Sequence, residues 1–322
     1  MTKMKHPFPD MPAAATTPAS EISIAGDDEA DESYLGQFIP LYYHHNMLMD
    51  ENRMLSFKAA IDHAVFEGAK VLELGGGTGV LSCFAAAKAS NVWCVEFNPD
   101  LVRESQRFLA LNPHGHKVTV IHANAFEYLP PEPVDIVICE MIHAAMLKEK
   151  LVDVIEAFKQ RYRQRFGEHL PVFMPEAMVM AVQPIQQNYD FFGYYAPIIQ
   201  VQPAYFSHPE TIELAAPMVY STLDFSQPVA REIEWEGAFT LESDCVVNAL
   251  RFITKNILSV VAEQAATIDW FMGYLALPLA EPVHVKAGDT LKVSFRYLTG
   301  GSIRSLENSI HASNVTICDG TG

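Results

Sequence analysis

The apolar and polar positions of the chain fall into three regimes. Residues 1–33 are rich in Pro, Ala, Thr and Ser and finish on the acidic "GDDEADES". Such a stretch buries too little apolar surface to offset the entropy of ordering it, so a mobile tail is expected. From Tyr34 the run "YLGQFIPLYYHHNMLMDENRMLSFKAAIDHAV" is aromatic and amphipathic, which predicts one or two helices packed on the next part of the chain. That part, "KVLELGGGTGVLSCFAAAKASNVWCVEFNPDLVRESQRFLALN", reads as a short apolar strand, a glycine turn, an Ala-rich helix, a second strand and a second helix. The alternation predicts βαβ units. "KVTVIHANAFEYLP" and "VDIVICE" add strands, and "LKEKLVDVIEAFKQRYRQRF" reads as a helix. Beyond about Pro175 the period changes to two, in "AMVMAVQPI", "HVKAGDTLKVSFRYL" and "SIHASNVTICDG", which predicts a mostly antiparallel barrel or sandwich. The expected division is therefore an acidic tail (1–33), an α/β domain with N-terminal helices (34–175) and a β domain (176–322).

Charge narrows the partners. A formal net charge of -17 and a pI near 5.0 argue against a protein that neutralises nucleic-acid phosphates and favour cationic or neutral substrates. Five scattered cysteines without a CxxC pair suit a reducing cytoplasm. The first twenty residues lack a signal-peptide core and no run approaches eighteen apolar residues, so no membrane association is expected. The twelve histidines show no H-E-x-x-H or similar spacing, and no metal is expected.

Gly75, Gly77 and Gly79 come after the strand "KVLEL" and open a helix, where the backbone turns sharply and offers N–H groups to a ligand. A dinucleotide fingerprint wants Gly or Ala three positions after Gly77, but Val80 stands there. The pattern present is acidic-x-G-x-G-x-G, with Glu73 in front and Glu96 ending the next strand. This resembles motif I of class I S-adenosylmethionine-dependent methyltransferases. The resemblance implies S-adenosylmethionine as cofactor, Glu96 on its ribose hydroxyls, and Asn124 and Ala125 beside its adenine. Glu73 either contacts the methionine end or supports the turn. The bland alternative for the glycines is a tight βα turn without a ligand.

Glu140 stands immediately after "VDIVIC", and ligands of open α/β sheets bind outside the carboxyl ends of strands. A second glutamate, Glu149, stands nine positions later. Two carboxylates converging on one pocket call for a cation between them, and a planar guanidinium is built for paired carboxylate contacts. The spacing resembles the "double-E" loop of the protein arginine methyltransferase family. "HHNMLMDENR" also resembles that family's N-terminal helix, in the order H-x-x-M-L-x-D-x-x-R at His44, Met47, Leu48, Asp50 and Arg53. By that match Arg53 pairs with the cofactor carboxylate, Met47 packs beside its sulfonium and His44 helps line the site. Tyr34 matches the first position of Y-F-x-x-Y. "FMPEAMVMAV" resembles the passage into the family's β-barrel, and "YDFFGYYAPIIQVQPAYFSHPETIEL" occupies the place of its dimerisation arm, which implies a homodimer.

The implied fold is a Rossmann-like class I methyltransferase domain followed by a β-barrel substrate and dimerisation domain. The implied reaction is methyl transfer to a guanidino nitrogen, with Glu140 and Glu149 clamping the guanidinium and Glu149 or Asp269 taking a proton. Three departures qualify it. The loop reads Cys139-Glu140-Met141-Ile142-His143-Ala144 where the family has S-E-W-M-G-Y, Phe38 replaces the second tyrosine, and Asp269 beside Trp270 replaces the T-H-W histidine. The family's histidine pairs with the aspartate matching Asp50, so an Asp50–Asp269 contact would be a like-charge pair unless one is protonated or a cation bridges them; either the register slips by a residue there or the acceptor pocket is rebuilt for another cationic substrate. Free arginine, an amine or a natural-product hydroxyl as acceptor, or a non-catalytic cofactor-binding role, are the alternatives. Glu149 as a solvated helix-start residue and Asp269 as a turn residue are the bland readings.

Overall fold

The computed structural model describes residues 41–315, so the expected tail, Tyr34 and Phe38 lie outside the described residues. Helix α1 (Leu41–Met49) runs into α2 (Glu51–Ala64), whose first turn is capped by Asp50 accepting the Arg53 N–H at 3.0 Å. Then come β1 (Lys70–Leu74), α3 (Val80–Ala85), β2 (Asn91–Glu96), α4 (Pro99–Ala110), β3 (Val118–His122), β4 (Ile136–Cys139), α5 (Leu151–Phe166) and β5 (Val172–Met174). Helix α4 starts as its sequence dictates, with Asn98 as cap and Pro99 at its first position.

The five strands form one parallel sheet in the order β3-β2-β1-β4-β5. Strand order reverses between β1 and β4, the place where an open α/β sheet leaves a crevice at its carboxyl edge. Leu74 pairs with Cys139 there, so the glycine turn and Glu140 leave the sheet side by side.

The second half is antiparallel. Its strands are β6 (Ala177–Gln187), β7 (Asp190–Phe191), β8 (Tyr194–Tyr195), β9 (Gln200–Gln202), β10 (Thr211–Glu213), β11 (Met218–Asp224), β12 (Glu232–Thr240), β13 (Cys245–Val261), β14 (Ala266–Phe271), β15 (Tyr274–Val285), β16 (Thr290–Leu298) and β17 (His311–Val315). Seven of them make a curled sheet, β10-β6-β13-β15-β9 with β11 added on β6 and β14 on β13, and β12-β16-β17 make a second. This is a barrel-like pair of sheets around an aromatic core. Phe295 sits 5.1 Å from Tyr220 and 5.2 Å from Phe252, ring centre to ring centre, and the Tyr220 and Tyr297 hydroxyls share a hydrogen bond at 3.0 Å.

Two expectations are corrected. Helix α5 begins at Leu151, not at Leu147, because Lys148 has φ 61° and leaves the right-handed helical region. A further helix, α6 (Ile303–Ser309), interrupts the period-2 C-terminal region, with Ser302 as its cap. Among the described residues no helix is long and apolar enough to cross a membrane.

Candidate active site

The glycine turn is built for close approach. Gly75 and Gly76 both donate to the Val95 carbonyl at 2.9 Å, which ties the turn to β2. Gly75 and Gly77 have φ of 78° and 53°, a region that only glycine occupies without strain. A Cβ on Gly77 would stand 3.0 Å from His44 Cε1, and one on Gly75 3.0 Å from Met141 Cγ. Glu96, buried, accepts the Gly77 N–H at 2.8 Å and the Asn98 N–H at 2.7 Å, so it braces the turn while facing the crevice. His44 is buried with its Nε2 unpaired, and burial, then Arg53, holds its pKa down, so its neutral form is favoured.

Glu73 lines the cleft and also braces the helix start. Its carboxylate accepts the Ser82 N–H at 2.9 Å and the Ser82 hydroxyl, holding the start of α3. Complete burial pushes its pKa up to about 7 despite these bonds. Gly79 is a correction. It has φ 77° at the cap of α3, but a Cβ there would meet Leu109 at 3.2 Å and Ser105 at 3.5 Å, so it lets α4 pack and does not line the crevice.

Across the switch point, Glu140 makes a 2.5 Å ion pair with Arg53, with both side chains largely buried. Arg53 also donates to the Met47 carbonyl at 3.3 Å. Burial works against the Arg53 charge, but Glu140, Asp50 and Glu73 more than offset it. Glu149 lies in the same cleft, where burial and then the Glu140 charge push its pKa up to about 7, with Lys148 partly opposing.

The loop joining the two glutamates is strained and pinned. Ala145, Met146 and Lys148 have φ of 55°, 56° and 61°, each costing on the order of 1–2 kcal/mol for a residue with a Cβ. The β domain holds that shape. Thr254 Oγ1 on β13 accepts the Ala145 N–H at 2.8 Å, the Gly301 carbonyl accepts the Lys148 N–H at 2.7 Å, and Gly300 donates to the Met146 carbonyl at 2.7 Å. Ala145, Met146 and Leu147 are fully buried beneath it.

One cleft of about 1460 Å³ gathers His44, Met47, Arg53, Glu73, Gly75, Gly77, Glu96, Asn124, Ala125, Glu140 and Glu149. Pockets for one drug-sized ligand hold about 300–1,000 Å³, so two ligands fit side by side. Asp269 is outside it. Its carboxylate pairs with Lys255 at 2.6 Å, and Lys255 also covers the Phe271 ring two residues on. Strand alternation turns Asp269 and Phe271 to one face of β14 and Trp270 to the other, into the cleft. Asp50 caps α2 and Asp269 pairs with Lys255, so each carboxylate has a partner of its own. Sequence reasoning missed the far wall, built by Lys148, Lys150, Trp270, Met272, Arg296 and Tyr297. No local signal marks the β-domain residues, which only the fold brings opposite the glutamates.

Comparisons with known proteins bear on the fold and its relatives. A family model described as "Methyltransferase domain" matches residues 71–165. An uncharacterised protein of Methanocaldococcus jannaschii is 25% identical, over 82% of this chain and 95% of its own. A probable histone-arginine methyltransferase of Arabidopsis thaliana is 26% identical, over 80% of this chain and 54% of its own. The chain thus spans about half the length of that relative. Among solved structures, the Trypanosoma brucei protein arginine methyltransferase 1 enzyme-prozyme heterotetramer with AdoHcy matches with a TM-score of 0.65 at 18% identity, covering 84% of this chain and 97% of that one.

Proposed function

We propose that this chain is a divergent class I methyltransferase resembling the protein arginine methyltransferases, and that it methylates a guanidino nitrogen held between Glu140 and Glu149. The observation that carries the reading is the convergence of these two carboxylates at the strand-order reversal, one of them already holding a guanidinium, that of Arg53. The cradle fits S-adenosylmethionine: open glycine backbone at Gly75 and Gly77, an acidic side chain at Glu96, the Asn124–Ala125 turn, and the Arg53 cation. Bound there, S-adenosylmethionine supplies an electrophilic methyl on a sulfonium that leaves as a neutral thioether. Arg53 would hold the donor's carboxylate, Glu96 its ribose hydroxyls, and Met47 and His44 would pack beside it.

Glu140 and Glu149 accept hydrogen bonds from the acceptor's guanidinium and draw its positive charge away from the reacting nitrogen. They also fix that nitrogen's position, and positioning with electrostatic stabilisation accounts for several kcal/mol of a barrier. The nitrogen that gains the methyl loses one proton, for which Glu149, with its carboxyl near neutrality, is the local acceptor. Asp269, paired with Lys255, is left out of this reading.

The test is mass-spectrometric detection of methyl transfer from S-adenosylmethionine to guanidino compounds across pH. Glu149 must be ionised to hold a guanidinium, so kcat/KM for the acceptor is expected to rise from pH 5.5 to 8 with a midpoint near 7. Stability of the unliganded protein is expected to move the opposite way. Glu149 and Glu73 both have folded-state pKa values raised above the unfolded value, so the folded state binds more protons. Their favourable contribution is complete below the unfolded carboxyl pKa and is lost as pH rises towards 7, and Tm should fall over that interval. Activity that is flat through pH 7, or absent on every guanidine despite cofactor binding, would sink the assignment.

The arm region supports a homodimer as part of the same reading. Phe192, Tyr194, Tyr195 and Phe206 are exposed on it, as are Tyr42, Tyr43, Met49 and Leu55 on α1 and α2. Apolar surface of this extent seeks a partner, and we place the arm of one copy on the helices of the other. Phe192→Asp is expected to convert a dimer to a monomer in light scattering; a wild-type monomer at micromolar concentration would refute the pairing.

A further inference from the structure

The loop between the two glutamates brings to the cleft a histidine that the mechanism above does not use. His143 has φ -125° and ψ 155°, an extended conformation that turns neighbouring side chains to opposite sides. Ile142 and Ala144 are buried, while His143 between them is partly exposed and lines the cleft with Glu140, Met141 and Glu149. The backbone is fixed at this point, because the His143 carbonyl accepts the Met146 N–H at 2.9 Å. One neighbour sets the chemistry of the ring. Nδ1 lies 3.0 Å from the Ala144 carbonyl, which can only accept, so Nδ1 carries the hydrogen and Nε2 the lone pair. Among the described residues nothing bonds Nε2. Burial holds the ring's pKa below the usual histidine range; the Ala144 bond opposes this and the Lys148 charge adds to it, so the neutral form is favoured. The family loop that this one resembles has glycine at the position, so the imidazole is a departure of this chain.

A guanidinium at the end of a side chain presents five N–H donors in one plane. Glu140 already gives Oε2 to Arg53, which leaves its Oε1 and the two oxygens of Glu149 as carboxylate acceptors. The donors outnumber those oxygens, and an N–H left unpaired in a largely desolvated cleft weakens binding. A third carboxylate would be a poor remedy, because the Glu140 charge already works against ionisation of Glu149. A neutral nitrogen acceptor completes the set without adding to that repulsion.

We propose that His143 Nε2 is the third acceptor of the guanidine site, taking an N–H that Glu140 and Glu149 leave unbonded. The proposal rests on the guanidine reading above and adds a substrate-binding residue to it. The experiment uses the full chain with S-adenosylhomocysteine and whichever of agmatine, L-arginine and a Gly-Arg-rich peptide binds the wild type most tightly in calorimetry. In His143→Leu the Kd of that guanidine is expected to rise about 10-fold, the loss of one hydrogen bond to a charged donor. Tm and the Kd for S-adenosylhomocysteine should be unchanged, and His143→Gln, which keeps an acceptor oxygen, should restore most of the affinity. In the wild type the ¹⁵N resonance of His143 Nε2 is expected to move upfield as the guanidine saturates the site, a change that a packing role would not produce. A guanidine that binds wild type and His143→Leu alike, or leaves the Nε2 resonance unmoved, would overturn the proposal while leaving the guanidine reading standing. So would a His143→Leu variant that loses Tm and cofactor affinity in step with guanidine affinity. No binding of any of the three guanidines to the wild type would overturn both.

Discussion

Glu149→Gln is expected to reduce methyl transfer by about 10³-fold or more, roughly 4 kcal/mol of transition-state stabilisation, and at the same time to raise the Tm at pH 8. Both effects have one cause. The Glu149 carboxyl is desolvated and faces the Glu140 charge, so its ionised form is unfavourable in the unliganded protein and favourable only with a cation between the pair. Glutamine keeps the shape and removes the charge, which relieves the repulsion and abolishes the clamp. A gain of stability with loss of function is the behaviour of a residue held for its chemistry. Kinetics on the preferred guanidine and a melting curve at pH 8 measure both. A variant with near-wild-type turnover would show that Glu149 is not in the clamp, and one that loses turnover and stability together would make it a structural residue.

Arg53→Gln should be the most destabilising single change in the site, costing about 3–5 kcal/mol, because it leaves a largely buried carboxylate without its cation. Glu140 would then stand close to Glu149 and Glu73, both of whose carboxyl pKa values its charge raises, with no positive charge between them. Cofactor affinity, measured by calorimetry with S-adenosylmethionine, is expected to fall at least about 100-fold for want of the carboxylate partner. The double variant Arg53→Gln/Glu140→Gln should recover most of the lost stability, because it removes the orphaned charge, and recover none of the turnover. Failure of the second substitution to restore stability would mean that Arg53 acts through its packing on Phe57, 5.6 Å from that ring centre, and not through the ion pair.

The first half of the chain was readable because its signals are local. A strand of apolar residues ending in Gly-x-Gly can turn only where backbone φ becomes positive, and Gly75 and Gly77 do so. Glu96 and Glu140 were legible because each ends or directly succeeds a short buried run, in a parallel sheet the ligand edge, and each stands in a spaced motif. Gly79 was misread because a motif glycine and a packing glycine look alike in sequence, and only the arrival of Leu109 against it tells them apart. Asp269 was misread for a comparable reason. A strand's period of two turns adjacent residues to opposite faces, and whether the cleft lies on the side of residue 269 or 270 depends on how β14 pairs with β13.

The sequence by itself determined the order of helices and strands, the glycine turn and the presence of an acidic pair after a buried strand, since each depends on contacts within a few residues. The tertiary structure alone decided where that pair points and what faces it. The Glu140–Glu149 loop takes three left-handed residues that its own sequence disfavours, and holds them through Thr254, Gly300 and Gly301, more than a hundred positions away along the chain. Backbone strain of that kind persists only when distant hydrogen bonds and burial outweigh it, and those contacts exist only once the two halves have packed.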